Sequence, residues 1–331
     1  MDKDIAHQPL SFERSNVCEA PEIFNNLIDE AWEKSKTAVK LSHAESTVGA
    51  VLKLTKSLEL PLLHPTCSGA EIKFALDTAV RPLPNSYSRS YGSEVSCAAI
   101  CLYPAHLEEC LRYKDLRHRN TMVKVSCVAA GFPDGQVRRE VAWKVAERIS
   151  AMDANEIDVA CSRGSVAEKD WEGMYIQLIE FKALLSPEIK MKAILATQDA
   201  ESLCDMYTST MMAMISGSDF ICLWSGNHST NIDYCRLYAA CIAITEFNRL
   251  TGRKVGLKLY GDIAFEEALV YMQFVNEILG DEWNSANYLR ISSCDLQAAV
   301  CKNLCELEQQ HQSQSLSETT HEGPADASKE E

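Results

Sequence analysis

Positive charge is scarce in this sequence: 32 lysines and arginines stand against 47 aspartates and glutamates, a formal net charge of −15 over 331 residues. That deficit argues against a general phosphate-backbone binder, whose affinity comes from clustered Lys and Arg that release counterions, so nucleic acid is not an expected partner. Long apolar runs are also missing. None approaches the ~18 consecutive residues of a membrane span, and Met1 to Gln8 contain no apolar segment of the signal-peptide kind. No membrane partner and a cytoplasmic location are therefore expected. The 14 cysteines never form Cys-x-x-Cys, the closest spacings being Cys97/Cys101 and Cys301/Cys305. Scattered thiols in a long chain of this kind read as reduced, buried side chains, not as a disulfide framework or a zinc site; no metal and no cofactor is expected. Finally, Pro61-Leu62-Leu63-His64 follows the first strand-like run where a doubly wound dinucleotide fold would place a Gly-rich phosphate loop.

With 46% hydrophobic residues the chain is long enough for one large core. Residues 1–20 are polar and read as an irregular arm. From Pro21 two amphipathic stretches follow, one with Ile23, Leu27, Ala31 and Trp32 on a face, the other with Leu41, Val48, Val51 and Leu54, which predicts two leading helices over 21–56. Apolar or β-branched runs then begin near Ser57, Val95, Val123, Glu156, Lys190, Asp219, Lys254 and Tyr288, at intervals of roughly 28 to 38 residues, the spacing of one βα unit each. Between them lie helical periodicities. Asp134 is placed to cap a helix carrying Val137, Val141, Val145 and Ile149, and Trp171, Met174, Tyr175, Leu178 and Phe181 line another. Two further helices end at Gly217 and Gly280, where a C-terminus favours positive φ. Eight such repeats predict a closed (β/α)8 TIM barrel over 57–307. Residues 308–331, rich in Gln, Ser and Glu, read as a disordered acidic tail.

In a barrel of this type chemistry sits at the carboxyl ends of the strands. Asp158 in strand 4, Cys222 in strand 6 and Lys258 in strand 7 are the polar residues that stand out there. A lysine between Leu257 and Leu259 needs a partner or a task, and Asp158 is the obvious counter-charge; a structural ion pair and a catalytic pair both fit. Cys222, between Ile221 and Leu223, reads first as a small core hydrophobe.

The ordered motifs Ala99-Ile100-Cys101-Leu102-Tyr103-Pro104, Val128-Ala129-Ala130-Gly131-Phe132-Pro133-Asp134-Gly135-Gln136, Glu156-Ile157-Asp158-Val159, Lys192-Ala193-Ile194-Leu195-Ala196-Thr197, Ala213 to Ile221 and Leu279-Gly280-Asp281-Glu282-Trp283 resemble the deoxyribose-phosphate aldolases, particularly the animal members. The resemblance implies a (β/α)8 barrel and a class I retro-aldol cleavage of 2-deoxyribose 5-phosphate. In that reaction a strand-6 lysine forms an iminium that serves as electron sink, a strand-7 lysine keeps it partly neutral, and a strand-4 aspartate relays protons. By motif the aspartate falls on Asp158 and the strand-7 lysine on Lys258, but the Schiff-base lysine falls on Cys222. The family's Lys-Thr-Ser-Thr-Gly-Lys run appears as Cys222-Leu223-Trp224-Ser225-Gly226-Asn227, so Ser225 and Gly226 are left as a remnant of a phosphate-side loop. Gly261-Asp262-Ile263-Ala264-Phe265 stands for Gly-Gly-Ile-Arg-Ser, keeping Gly261 and placing a carboxylate where amides should face a dianion. Ser292-Ser293-Cys294-Asp295 adds a second carboxylate, and Glu59-Leu60-Pro61 replaces Asp-Leu-Thr.

Three functions compete. The first is a family member impaired or inactive as an aldolase, with a binding or scaffold role, its ligand a small sugar or aldehyde. The second is an aldolase-type lyase in which Lys258 supplies the amine. The third is a thiol enzyme using Cys222, for which His228 is a solvated loop residue and not a base.

Overall fold

The structure is a computed structural model that describes residues 26–44, 47–84, 95–226 and 232–321. The expected arm of residues 1–20, His228 and the end of the acidic tail lie outside the described residues. Helices α1 (Leu27–Ala44) and α2 (Val48–Ser57) precede the first strand. The strands are β1 (Glu59–Leu62), β2 (Ala99–Leu102), β3 (Lys124–Ala129), β4 (Glu156–Ala160), β5 (Lys190–Ala196), β6 (Phe220–Trp224), β7 (Gly256–Tyr260) and β8 (Leu289–Ser292). They form one parallel sheet in chain order, and a bridge between Leu58 and Ile291 closes it. The helices between them are α3 (Gly69–Val80), α4 (Leu107–Arg117), α5 (Arg139–Ala151), the short α6 (Arg163–Ala167), α7 (Trp171–Ala183), α8 (Leu203–Ile215), α9 (Tyr234–Thr251) and α10 (Phe265–Leu279), with α11 (Leu296–His321) after β8. The expected (β/α)8 barrel is the observed fold. Among the described residues no helix is long and apolar enough to cross a membrane.

Alternation along each strand divides the interior in two. Ile100, Val125, Ile157, Met191, Ile221, Leu257 and Ile291 face outward and join Leu76, Leu178, Met214 and Phe274 from the helices in one continuous apolar core. The residues between them face the lumen. Their registers follow from the pairing: Asp158 lies beside Lys192, Ile194 beside Cys222, Cys222 beside Lys258, and Lys258 beside Arg290. Gly256 is required where it stands, because a Cβ there would sit 2.3 Å from the ring of Phe220, which fills the lower lumen.

Several local expectations are corrected. Ser57 is the last residue of α2, and β1 begins at Glu59. Asp134 does not cap α5: the chain turns at Gly131 and Gly135, both at positive φ, the helix begins at Arg139, and Asp134 instead accepts a hydrogen bond from Arg163. The turn rotates the helix, so Ala142, Ala146 and Ile149 are its buried residues, while Val137 and Val141 are exposed. Gly217 and Gly280 do stand at positive φ just past α8 and α10. The last helix continues to His321, beyond the expected boundary at Leu307; among the residues whose burial is described, Leu304 is the last buried one.

Candidate active site

The lumen of the barrel contains a closed ionic cage. Lys258, on β7, donates to Asp158 Oδ2 at 2.7 Å and to Glu59 Oε1 at 2.5 Å. Lys192, on β5, reaches Glu59 Oε2 and Glu156 Oε2 at 2.7 Å each, and Asp158 Oδ1 at 3.1 Å. Arg290, on β8, donates from Nη2 to Glu156 Oε1 at 3.1 Å, and Ser126, on β3, donates to Asp158. Three carboxylates therefore face three cations, and none of the six side chains is more than 4% exposed. Burial on this scale is tolerated only when the charges are paired and hydrogen-bonded together.

The cage sets the protonation of its members. Burial pushes Lys258 toward its neutral form, but the Asp158 and Glu59 carboxylates outweigh it and hold the ammonium well above the ordinary lysine range. Lys192 is likewise raised by Asp158, Glu156 and Glu59 against the pull of burial. Burial works to raise Glu59 and Glu156, and the neighbouring cations reverse it: Glu59 is lowered, and Glu156 comes down to about 2. Both lysines are consequently ammonium ions at neutral pH.

Cys222 stands on the wall next to Lys258 and is fully buried. Burial pushes its thiol up to about 12, Lys258 pulling only partly the other way, so it is a neutral thiol and not a nucleophilic thiolate. Above it lies an aromatic layer. Cys222, Ile194, Ala196 and Trp224 form a small apolar cluster separate from the outer core, with Phe132 and Tyr260 packed on it. The Trp224 and Tyr260 rings stack at 6.5 Å with 17° between planes, and Phe132 lies 5.8 Å from Trp224 and 6.3 Å from Tyr260. Arg163, fixed by Asp199 at 2.6 and 2.8 Å and by Asp134 at 3.0 Å, lies 5.9 Å from the Trp224 ring.

Ser225, Gly226 and Gly261, expected as a remnant of a phosphate-side loop, are engaged in packing. The Ser225 amide donates to Tyr260 O at 3.0 Å and the Gly261 amide to Ser292 O at 3.1 Å, extending the sheet. A Cβ at Gly261 would lie 2.2 Å from Ser225 Oγ, and one at Gly226, which is at positive φ, 2.4 Å from Gln198 Nε2. Ser225, Gly226 and Gly261 thus converge at the mouth.

Of the residues singled out by sequence, Asp158, Lys258 and Cys222 meet in the lumen. Glu59, Lys192, Glu156, Arg290 and Ser126 complete the arrangement and were not singled out as site residues. Their signal was present for four of the five: Glu59, Ser126, Lys192 and Arg290 are polar residues flanked by apolar neighbours within a strand-like run, as in Leu289-Arg290-Ile291, whereas Glu156 follows Asn155. The donor set also includes one metal-like trio, Glu59, Cys101 and Asp158, whose ligand atoms lie within 4.8 Å of one another. Its two carboxylates already hold the Lys258 ammonium, which supplies the positive charge a metal would bring.

No family model matches the chain. A deoxyribose-phosphate aldolase of Bos taurus is 32% identical over 254 residues, 76% of this chain and 79% of that protein. The one of Mus musculus is 34% identical over 203 residues, 61% of this chain and 63% of the other. The solved deoxyribose phosphate aldolase of Aeropyrum pernix, described as tetrameric, superposes with a TM-score of 0.60 at 16% identity, covering 82% of this chain and 97% of that one, and shares the fold. The Bos taurus relative matches most of both chains, and on that ground the chain belongs to the deoxyribose-phosphate aldolase family.

Proposed function

We propose that this family member does not carry out Schiff-base cleavage of deoxyribose 5-phosphate and has kept the barrel for a binding or scaffold role. One observation carries the reading: the Lys258 amine is bonded to two carboxylates, Glu59 and Asp158, that keep it an ammonium ion. Attack on a carbonyl carbon needs the lone pair of a neutral amine, and a Schiff-base lysine is ordinarily freed by a neighbouring cation or by desolvation. Here Lys192 and Arg290 are close by, but the groups bonded to the Lys258 amine are carboxylates, and they outweigh those cations. Cys222, at the position that the family resemblance gives to the amine, offers a neutral thiol. Sulfur adding to an aldehyde forms one S–C bond and passes its proton to the carbonyl oxygen, giving a hemithioacetal; without a C=N⁺ group there is no sink for the electron pair of the breaking carbon–carbon bond.

The mouth supports the same reading. Trp224 and Cys222 are buried, and Ser225 and Gly261 spend their amides on neighbouring strands instead of presenting them to a phosphate. Lys258 is itself buried, and the aromatic layer packs over the neighbouring Cys222. Thirteen described cysteines are free thiols, which fits a cytoplasmic setting. The test is borohydride trapping of the full chain with acetaldehyde and, separately, with deoxyribose 5-phosphate, followed by mass mapping of lysine peptides. No reduced adduct on Lys258 or Lys192 is expected. An adduct on Lys258 would overturn the reading and establish the alternative, an aldolase-type lyase that uses this amine.

A further inference from the structure

Away from the mouth, the amino-terminal ends of β2 and β3 border a surface cavity of about 860 Å³. Its wall contains Arg81, the residue that closes α3, Arg117, the last residue of α4, and Arg119 in the connection to β3. No aspartate or glutamate lines it, although the chain has 47 of them. Nor is any of the three arginines ion-paired with another of the described residues. Elsewhere Arg139, Arg148, Arg163, Arg236, Arg249 and Arg290 each face a carboxylate, and Arg253 donates to two carbonyls. Unneutralised guanidinium groups in so acidic a chain therefore converge on one concavity.

We propose that this cavity is an anion site that takes a phosphate-bearing small molecule. Guanidinium groups present N–H pairs in a planar fork that matches two phosphate oxygens, and three of them from separate segments surround an anion in a way one helix end cannot. His118, whose Nε2 is 2.5 Å from Asp77 Oδ1, and uncharged donors complete the polar lining. Ser96, Asn120 and Thr121 lie in the same wall, and the Thr121 hydroxyl oxygen already accepts from the Val123 amide at 3.2 Å, which leaves its proton to donate. The exposed side chains of Leu116 and Met122, 76% and 75% accessible, offer an apolar edge for the carbon part of such a ligand. A simpler use of Arg81 and Arg117 is to answer the negative ends of α3 and α4. It leaves unexplained Arg119, which lies beyond the helix, and the enclosure of all three around one space free of carboxylates.

The site is independent of the mouth, so the trapping experiment above has no bearing on it. Isothermal titration of the full chain with pyrophosphate, and with inorganic phosphate as the smaller probe, is expected to show saturable binding that weakens with added sodium chloride. Replacing Arg117 and Arg119 together by Ala should weaken pyrophosphate binding by about tenfold or more, since two charge-assisted hydrogen-bonding groups are lost. Arg138→Ala, which removes an unpaired arginine elsewhere, should leave it unchanged, and thermal unfolding followed by circular dichroism should confirm that the double variant is folded. Absence of saturable binding, or equal affinity in the double variant, would overturn the proposal; the second result would place the anion elsewhere, the mouth included.

Discussion

The same eight strands build two interiors. Outward they turn Ile157, Ile221, Leu257 and Ile291 into packing against the helices; inward, one residue away along each strand, they turn Asp158, Cys222, Lys258 and Arg290. The outer interior is additive, because each side chain removes its own apolar area from water and loses only that when shortened. The inner one is collective. Glu59 and Asp158 each serve both Lys192 and Lys258, and Glu59 lies 3.7 Å from Arg290 Nε, so no member of the cage can leave without stranding a charge at low dielectric.

The largest expected effect is therefore on the inner side. Glu59→Gln should destabilise the fold by about 3–5 kcal/mol, the cost of breaking a buried charge set, whereas Ile221→Val in the outer core should cost only about 0.5–1.5 kcal/mol. Urea unfolding of the two variants checks the contrast, and equal losses would erase it. Proton linkage sharpens it further. The Glu156 carboxyl, at 4.5 when unperturbed, is held at about 2 in the fold. Its contribution is therefore present above pH 4.5 and lost as pH falls toward 2. The stability gap between the native chain and Glu156→Gln should accordingly narrow over that window, by on the order of 2–3 kcal/mol, as read from urea midpoints at each pH. No such narrowing is expected for Ile221→Val. A third inner position tests sterics alone. Gly256→Ala forces a Cβ against the Phe220 ring and should cost about 1–3 kcal/mol as an overpacked lumen position, visible as a lowered melting temperature.

The comparison also explains what could be read from the sequence. The outer interior is written as local periodicity, so Met174, Leu178 and Phe181 on one helix face, and the apolar runs that became β3 to β7, were legible from spacing alone. The helix after β3 was misread because a turn carrying Gly131 and Gly135 intervenes, and a one-dimensional period has no knowledge of the rotation such a turn imposes. Lys258 and Asp158 could be paired because each is conspicuous in an apolar run. Glu59 could not be joined to either: it lies 199 residues before Lys258 and 133 before Lys192, distances bridged only when the barrel closes. The stacking of Trp224 on Tyr260 was not legible either, because it depends on the register of β6 with β7.

One consequence of the cage concerns the outside of the molecule. Three positive and three negative groups are withdrawn together, so the formal charge of −15 is carried entirely by the remaining residues. A chain whose lumen was refilled with neutral side chains would migrate to nearly the same position in isoelectric focusing. Its mutual repulsion in dilute buffer and the salt needed to screen that repulsion would be nearly unchanged too. Interior chemistry and colloidal behaviour can in this way diverge independently within one fold.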